Sequence, residues 1–261
     1  MSEFANSKDG TRIAYERHGD GPAVILVGGA MQFRGFDPTT VEMGKQLAAQ
    51  GFTVLNYDRR GRGESAETSS FTLQDELDDL SALIEVAGGE AALYGSSSGG
   101  AISLAAAAAG LPVTKLALWE VPLRAELGTD GAEFLAGLRE RIGSGDKAGT
   151  IEYFMKDMPP EWLAGAKNSP GWPIMMEIGP SLSADSESLA WTQSAPRAEL
   201  WSGVKQPTLV LLGEQTQTIM TEAADAITAN IPGAAKKTIP GANHSWEPKV
   251  MAGALAEFFA E

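Results

Sequence analysis

Apolar residues along the chain follow two alternating patterns. AVILVGG, FTVLNYD, AALYG and QPTLVLLG are short, continuous apolar runs, which are typical of strands covered on both faces of a parallel sheet. Between them, stretches such as TLQDELDDLSALIEVAGG place apolar residues three and four positions apart, as in an amphipathic helix. Thr72 with Asp75 three residues later predicts the start of that helix, and Gly88 predicts its end. Alternating strands and helices predict right-handed βαβ units on a mostly parallel sheet.

The alternation stops after Glu120 and resumes near Gln206. The intervening part has no buried strand run and contains helical segments such as GAEFLAGLRERIG, together with four of the six tryptophans of the chain. We therefore predict an α/β core in two parts, residues 1–121 and 204–261, with a helical cap inserted at residues 122–203.

Composition narrows the classes of partner. The 261 residues carry a formal net charge of −14, which argues against nucleic acids and anionic membranes, because both attract basic surfaces. There is no cysteine, so disulfides and a cysteine nucleophile are excluded. Two histidines, His18 and His244, are too few for a multi-histidine metal site, and neither a calcium loop nor a phosphate-binding loop is present. We expect a small-molecule partner, no metal and no cofactor; the sequence says nothing of the oligomeric state.

Targeting signals are not visible in the sequence. The longest apolar run, AISLAAAAAG, is too short to span a bilayer, and the first ten residues lack the pattern of a secretory signal. A cytoplasmic location is therefore the expectation.

The stretch GSSSG at residues 95–99 fits the pattern Gly-x-Ser-x-Gly, with Ser97, rather than Ser96 or Ser98, at its centre. Such a turn between a strand and a helix lifts the central serine clear of the sheet, and the flanking glycines avoid collisions in its strained backbone. The pattern alone is weak, but the preceding strand and following helix strengthen it. His244 follows the last predicted strand, where a base could reach Ser97 from the carboxyl edge of the sheet. His18 suits a surface turn.

These features resemble the α/β-hydrolase family over essentially the whole length. AVILVGGA matches its strand and oxyanion loop, NYDRRGRGES its Asp-x-Arg-Gly-x-Gly-x-Ser turn, YGSSSGG its nucleophile elbow and PGANHSWEP its histidine loop. The resemblance implies an eight-stranded, mostly parallel sheet with a helical cap, and acyl transfer to Ser97 with His244 as base.

The chain departs from the family pattern at two places. The usual His-Gly of the oxyanion loop is Gly28–Gly29 here, and we assign the oxyanion donors to the backbone N–H groups of Ala30 and Ser98. The usual acid after the seventh strand is replaced by Thr216. The acid could be missing, supplied by Glu214, or moved to another strand.

We predict Glu120 as the acid. It ends the strand VTKLALWE, which is expected beside the nucleophile strand, and the order Ser97, Glu120, His244 keeps the family's order of serine, acid and histidine.

The predicted function is cofactor-free hydrolysis of a small, rather apolar ester or lactone. Perhydrolysis with halogenation and hydrolysis of a C–C bond use the same triad, and the fold does not choose between them. A hydrolase-like receptor that binds a small molecule with little turnover is the alternative from another class.

Overall fold

The computed structural model describes residues 1–66 and 68–261, and a nine-stranded sheet forms its centre. The strands are β1 Glu3–Asn6, β2 Arg12–His18, β3 Ala23–Val27, β4 Thr53–Tyr57, β5 Ala91–Ser96, β6 Val113–Trp119, β7 Thr208–Gln215, β8 Ala235–Ala242 and β9 Ser245–Trp246. Their order across the sheet is β1-β2-β4-β3-β5-β6-β7-β8-β9.

The sheet is parallel from β4 through β8, and β1, β2 and β9 are antiparallel to their neighbours. This confirms the predicted fold class. The sheet has nine strands rather than the eight implied by the resemblance, because the chain turns back after β8 and pairs the two-residue strand Ser245–Trp246 with it. Asn243 and His244 form this turn, with φ angles of 53° and 63°.

Eleven α-helices surround the sheet in the described residues: α1 Pro38–Ala48, α2 Leu73–Ala87, α3 Ser98–Ala108, α4 Asp130–Ser144, α5 Lys147–Phe154, α6 Pro160–Asn168, α7 Trp172–Ile178, α8 Leu182–Trp191, α9 Arg197–Leu200, α10 Thr218–Asn230 and α11 Pro248–Ala260. One core contains buried residues of α2, α3 and α10, and a second contains those of α1 and α11. Both faces of the parallel strands are thus covered, which explains their continuous apolar runs.

Local signals define the ends of α2 as the sequence predicted. The Thr72 side chain accepts a hydrogen bond from the Asp75 amide, and the Asp75 carboxylate accepts one from the Thr72 amide. Gly88 ends the helix with a φ of 119°, a left-handed conformation that glycine adopts without strain.

Residues 122–203, called the helical insertion below, contain α4 to α9, and the described structure has no strand there. A third apolar cluster lies within it, formed by Leu138, Ile151, Phe154, Met155, Ala166 and Leu182. Helix α8 lies against α3 and α4. The division at residues 121 and 203 remains a prediction. No helix in the described part of the chain has the length and apolar character needed to cross a membrane.

Candidate active site

Ser97 lies on the sharp turn between β5 and α3. Its φ and ψ angles of 55° and −124° belong to neither a strand nor a helix. The flanking glycines leave the space that this turn needs: a Cβ on Gly99 would lie 2.2 Å from the carbonyl oxygen of Val27, and one on Gly95 would lie 2.6 Å from the Cα of Gly100. The steric reason for the Gly-x-Ser-x-Gly pattern is therefore visible in the fold.

Strained backbone conformations include those of all the residues of the predicted triad. In residues 1–66 and 68–261, the non-glycine residues with positive φ are Met31, Ser97, Glu120, Leu127, Asn243 and His244. All three residues of the predicted triad are in this group. Such conformations cost free energy and persist where the surrounding structure enforces them, which is common at functional sites.

The fold brings His244 and Glu120 together, although they are 124 positions apart in the sequence. The Nδ1 atom of His244 lies 2.6 Å from Oε2 of Glu120, and Oε1 of the same carboxylate accepts a hydrogen bond of 3.0 Å from the Gly213 amide on β7. Glu120 is 2% exposed. Burial alone would raise its pKa, but the contacts of the carboxylate with His244, the nearby Thr216 hydroxyl and the Gly213 amide together lower the pKa. The carboxylate is thus ionised at neutral pH and can orient the imidazole.

Among the described residues, the side chains of the alternative acid, Glu214, and of the second histidine, His18, form no hydrogen bond with the pair formed by Glu120 and His244. Glu214 is exposed on β7 and has no hydrogen bond to His244. Thr216 is close to Glu120, although its hydroxyl forms no well-shaped hydrogen bond. His18 ends β2 opposite Val54, at the edge of the sheet away from Ser97, with its ring 3.4 Å from Glu16.

Ser97 and His244 both line two adjoining cavities. The Gln32 cavity, of about 280 Å³, is also bounded by Met31, Gln32 and Asp37, and the Phe134 cavity, of about 210 Å³, by Phe134, Leu189 and Met220. Trp162 lines both, and its ring lies 6.4 Å from the His244 ring, tilted by 29°. Ser97 and His244 are not hydrogen-bonded to each other among the described contacts. Catalytic hydrogen bonds of this kind often tighten only with substrate bound.

The predicted oxyanion donors have free amides. Within the described residues, neither Ala30 N–H nor Ser98 N–H donates a hydrogen bond. Ser98 begins α3, where first-turn amides have no acceptor inside the helix and the helix dipole favours negative charge. Ala30 follows β3 in the adjacent loop. Both therefore remain available to an anionic oxygen near Ser97.

Gln32 holds the loop that is predicted to carry the oxyanion donor Ala30, a contact that the sequence did not reveal. Its Oε1 accepts a hydrogen bond of 2.6 Å from the Gly29 amide, and its Nε2 donates one of 2.8 Å to Asp37. The replacement of His-Gly by Gly-Gly was a usable signal, because it predicts that another polar side chain must hold the loop.

Asp58 holds the turn that follows β4. Its carboxylate accepts hydrogen bonds from the Arg34 guanidinium and from the Glu64 amide. Among the residues that the structure describes, no group of three or more His, Asp or Glu side chains is arranged to hold a metal ion.

Comparison with known proteins agrees with this architecture. The model of the alpha/beta hydrolase family matches residues 23–254. The crystal structure of an alpha/beta hydrolase from Sphaerobacter thermophilus is 34% identical, with a TM-score of 0.85 over 98% of this chain and 100% of that one. No curated protein sequence matches the chain.

Two more distant structures are similar in fold alone. A thermophilic esterase from Thermogutta terrifontis is 22% identical, with a TM-score of 0.71 over 100% of this chain and 97% of that one. A bromoperoxidase from Bacillus anthracis is 19% identical, with a TM-score of 0.65 over 100% of this chain and 98% of that one. From the family match and the similarity to the Sphaerobacter hydrolase, the chain belongs to the alpha/beta hydrolase family.

Proposed function

We propose that the protein hydrolyses a small, rather apolar ester or lactone, with Ser97 as nucleophile, His244 as general base and Glu120 as the acid that orients His244. The observation that carries the proposal is the 2.6 Å contact between His244 Nδ1 and Glu120 Oε2, beside a Ser97 that lines the same cavities as His244. The esterase among the structural relatives supports an ester as substrate.

In the first half-reaction, Ser97 Oγ attacks the carbonyl carbon while its proton passes to Nε2 of His244. The Glu120 carboxylate stabilises the resulting imidazolium through Nδ1–H. The carbonyl oxygen becomes an oxyanion, which accepts hydrogen bonds from the amides of Ala30 and Ser98. The tetrahedral intermediate then collapses, the bond to the alkoxy oxygen breaks, and His244 returns the proton to the departing alcohol.

In the second half-reaction, water attacks the acyl group on Ser97 while His244 Nε2 removes a proton from the water. Collapse of the second intermediate breaks the bond to Ser97 Oγ, which recovers its proton from His244. The products are a carboxylic acid and an alcohol; for a lactone both groups remain on one molecule.

The Phe134 cavity accounts for an apolar substrate portion. Phe134, Phe154 and Leu189 contribute to its walls, and its modest volume suits a short hydrocarbon group. The Gln32 cavity adds Gln32, Asp37 and Thr40, whose polar side chains suit the more polar portion of the ester.

Ester turnover and covalent labelling test this proposal. We expect turnover of p-nitrophenyl acetate and butyrate, a loss of several orders of magnitude in kcat for Ser97→Ala, and a phenylmethylsulfonyl adduct on Ser97 by peptide mass spectrometry. Ser96→Ala is the matched control, because it removes the neighbouring hydroxyl without touching the nucleophile. An adduct on Ser96 or Ser98, or full activity in Ser97→Ala, would contradict the assignment. Tight ligand binding without turnover would instead support a receptor.

A further inference from the structure

A buried carboxylate of the helical insertion contacts the nucleophile elbow. Asp185 on α8 is fully buried. Its Oδ1 accepts a hydrogen bond of 2.7 Å from the Ser98 hydroxyl, and Ser98 also carries one of the two free amides described above. The side chain of the elbow residue is therefore held by an element outside the α/β core.

The same carboxylate holds two arginines that reach the oxyanion loop. Asp185 Oδ1 lies 2.5 Å from Nη1 of Arg59, and Oδ2 lies 2.5 Å from Nη2 of Arg62. Arg62 Nη1 donates to the Gly29 carbonyl at 2.8 Å, and Arg59 Nη1 donates to the Gly28 carbonyl at 3.3 Å. These carbonyls precede Ala30 directly. Asp185 thus connects both halves of the oxyanion hole, one through Ser98 and the other through the arginines.

The charges in this network are balanced. Arg59 and Arg62 face Asp185 and Glu76, and all four side chains are at most 1% exposed. Burial alone would raise the pKa of Asp185, but the two guanidinium groups and the Ser98 hydroxyl lower the pKa below its ordinary value. Buried charges are tolerated only when they are paired, so loss of this carboxylate leaves Arg62 without its ion-pair partner, while Arg59 keeps only Glu76.

We propose that Asp185 is a positioning residue, which sets the separation and direction of the Ala30 and Ser98 amides by holding Ser98, Arg59 and Arg62 at once. This inference rests on the proposed function, since it concerns the oxyanion of ester hydrolysis. Through this role of Asp185, the helical insertion contributes to kcat as well as to substrate choice, although none of its side chains bonds to a reacting atom.

A matched pair of variants separates this role from simple stabilisation. Asp185→Asn keeps the shape but removes the charge, and Asp79→Asn does the same to another fully buried carboxylate. Asp79 is held by Arg60 at 2.6 and 2.8 Å, away from the cavities. We expect kcat on p-nitrophenyl acetate to fall about 100-fold in Asp185→Asn with little change in KM, whereas Asp79→Asn keeps its kcat. The affinity for a trifluoromethyl ketone, which forms an oxyanion on Ser97, should fall in parallel with kcat/KM.

A second pair tests the elbow half of the connection in variants that are expected to fold. Ser98→Ala removes the hydroxyl but keeps the backbone amide. Ser103→Ala removes another buried hydroxyl of α3, one bonded to the Gly99 carbonyl at 2.8 Å. We expect a fall in kcat of about tenfold in Ser98→Ala and none in Ser103→Ala. If both changes act through one connection, the double variant Ser98→Ala/Asp185→Asn loses less than the product of the two single losses.

Failure of this inference differs from failure of the proposed function. Equal kcat losses in Asp185→Asn and Asp79→Asn, or an unchanged affinity for the trifluoromethyl ketone, would overturn the role of Asp185 while ester hydrolysis stands. If Asp185→Asn does not fold, Ser98→Ala against Ser103→Ala decides. If the wild type hydrolyses no ester, the proposed function fails. The rate of Ser97 phosphonylation by a fluorophosphonate then reports the role of Asp185, and a wild type that is not labelled overturns both.

Discussion

The carboxylate of Glu120 is held on both of its oxygens, by His244 on one and by the Gly213 amide on the other. It therefore has one orientation, and the imidazole proton is fixed on Nδ1, leaving Nε2 free to accept a proton from Ser97. Glu214, two residues from the position that the family uses, has neither contact.

Glu120→Gln should preserve the fold and lower kcat by about 10²–10⁴-fold, because a neutral amide can stabilise the wrong imidazole tautomer and cannot stabilise the imidazolium. Steady-state ester turnover measures the change in kcat, and thermal melts of the variant and the wild type show whether the fold is preserved. Glu214→Gln is the control and should retain wild-type kcat. The reverse result, a large loss in Glu214→Gln only, would return the acid to β7.

Strain at Ser97 leads to a prediction about stability. Both Ser97→Ala and Ser97→Gly remove the nucleophile, but only glycine relaxes a φ of 55° with a ψ of −124°. We expect Ser97→Gly to unfold in urea with a free energy about 1 kcal/mol higher than Ser97→Ala, since the relief of strain exceeds the entropy that glycine adds to the unfolded chain. Equal or lower stability of the glycine variant would show that the strain stored at this turn does not exceed the entropy that glycine adds to the unfolded chain.

At the scale of elements, α4 supplies the wall that limits the Phe134 cavity. The Phe134 ring packs against Tyr153 and Phe154 of α5, with ring centroids 5.1 and 6.1 Å apart. Phe134→Ala should lengthen the cavity and raise kcat/KM for p-nitrophenyl octanoate relative to acetate by about tenfold. Ile174→Ala, at an exposed position on α7, is the control and should leave the ratio unchanged. An unchanged ratio in Phe134→Ala would place the acyl group in the Gln32 cavity.

The sequence predicted those elements whose signals are local. The apolar runs located β3 to β7, and Thr72 and Gly88 bounded α2. The strand β9 has only two residues and arises from the turn at Asn243 and His244, so no periodic pattern could reveal it. The separate helices α6, α7 and α9 are short, and prolines lie at or beside their starts, which left their boundaries undefined.

The contact of Asp185 with the candidate site was not predicted, because it joins residues that are far apart in the sequence. Ser97 and His244 could be chosen from their motifs and the strands that precede them, and Glu120 from the order of the sheet. Asp185 is 87 residues from Ser98, and no motif surrounds it, so its contact with the elbow follows only from the packing of α8 on α3.

At the scale of the whole molecule, charge has two opposite effects. The chain has 34 acidic and 20 basic residues, and the excess negative charges repel one another in the compact state. Inside the molecule, however, carboxylates such as Glu76 and Asp185 are stabilising partners for buried arginines. Protonation of carboxylates therefore relieves repulsion at the surface but removes partners of the buried arginines in the interior.

Buried carboxylates whose pKa values are shifted in opposite directions predict a free energy of unfolding that first rises and then falls as the pH decreases. Burial and the neighbouring Glu76 raise the pKa of Asp79 to about 6, so the folded state gains a proton before the unfolded state, and unfolding becomes harder as the pH falls through 6. The pKa values of Glu120 and Asp185 are lowered instead, and their stabilisation is present above the ordinary values of 4.5 and 3.8 and is lost as the pH falls through the folded values.

Urea unfolding between pH 7 and pH 3 measures this profile. We expect the free energy of unfolding to rise from pH 7 to about pH 5 and to fall below about pH 4. Asp79→Asn should abolish the rise and keep the acid loss, whereas Glu120→Gln should keep the rise and weaken the acid loss, because its amide does not titrate. A profile without a rise in the wild type, or one that Asp79→Asn leaves unchanged, would show that Asp79 remains ionised beside Arg60 across this range.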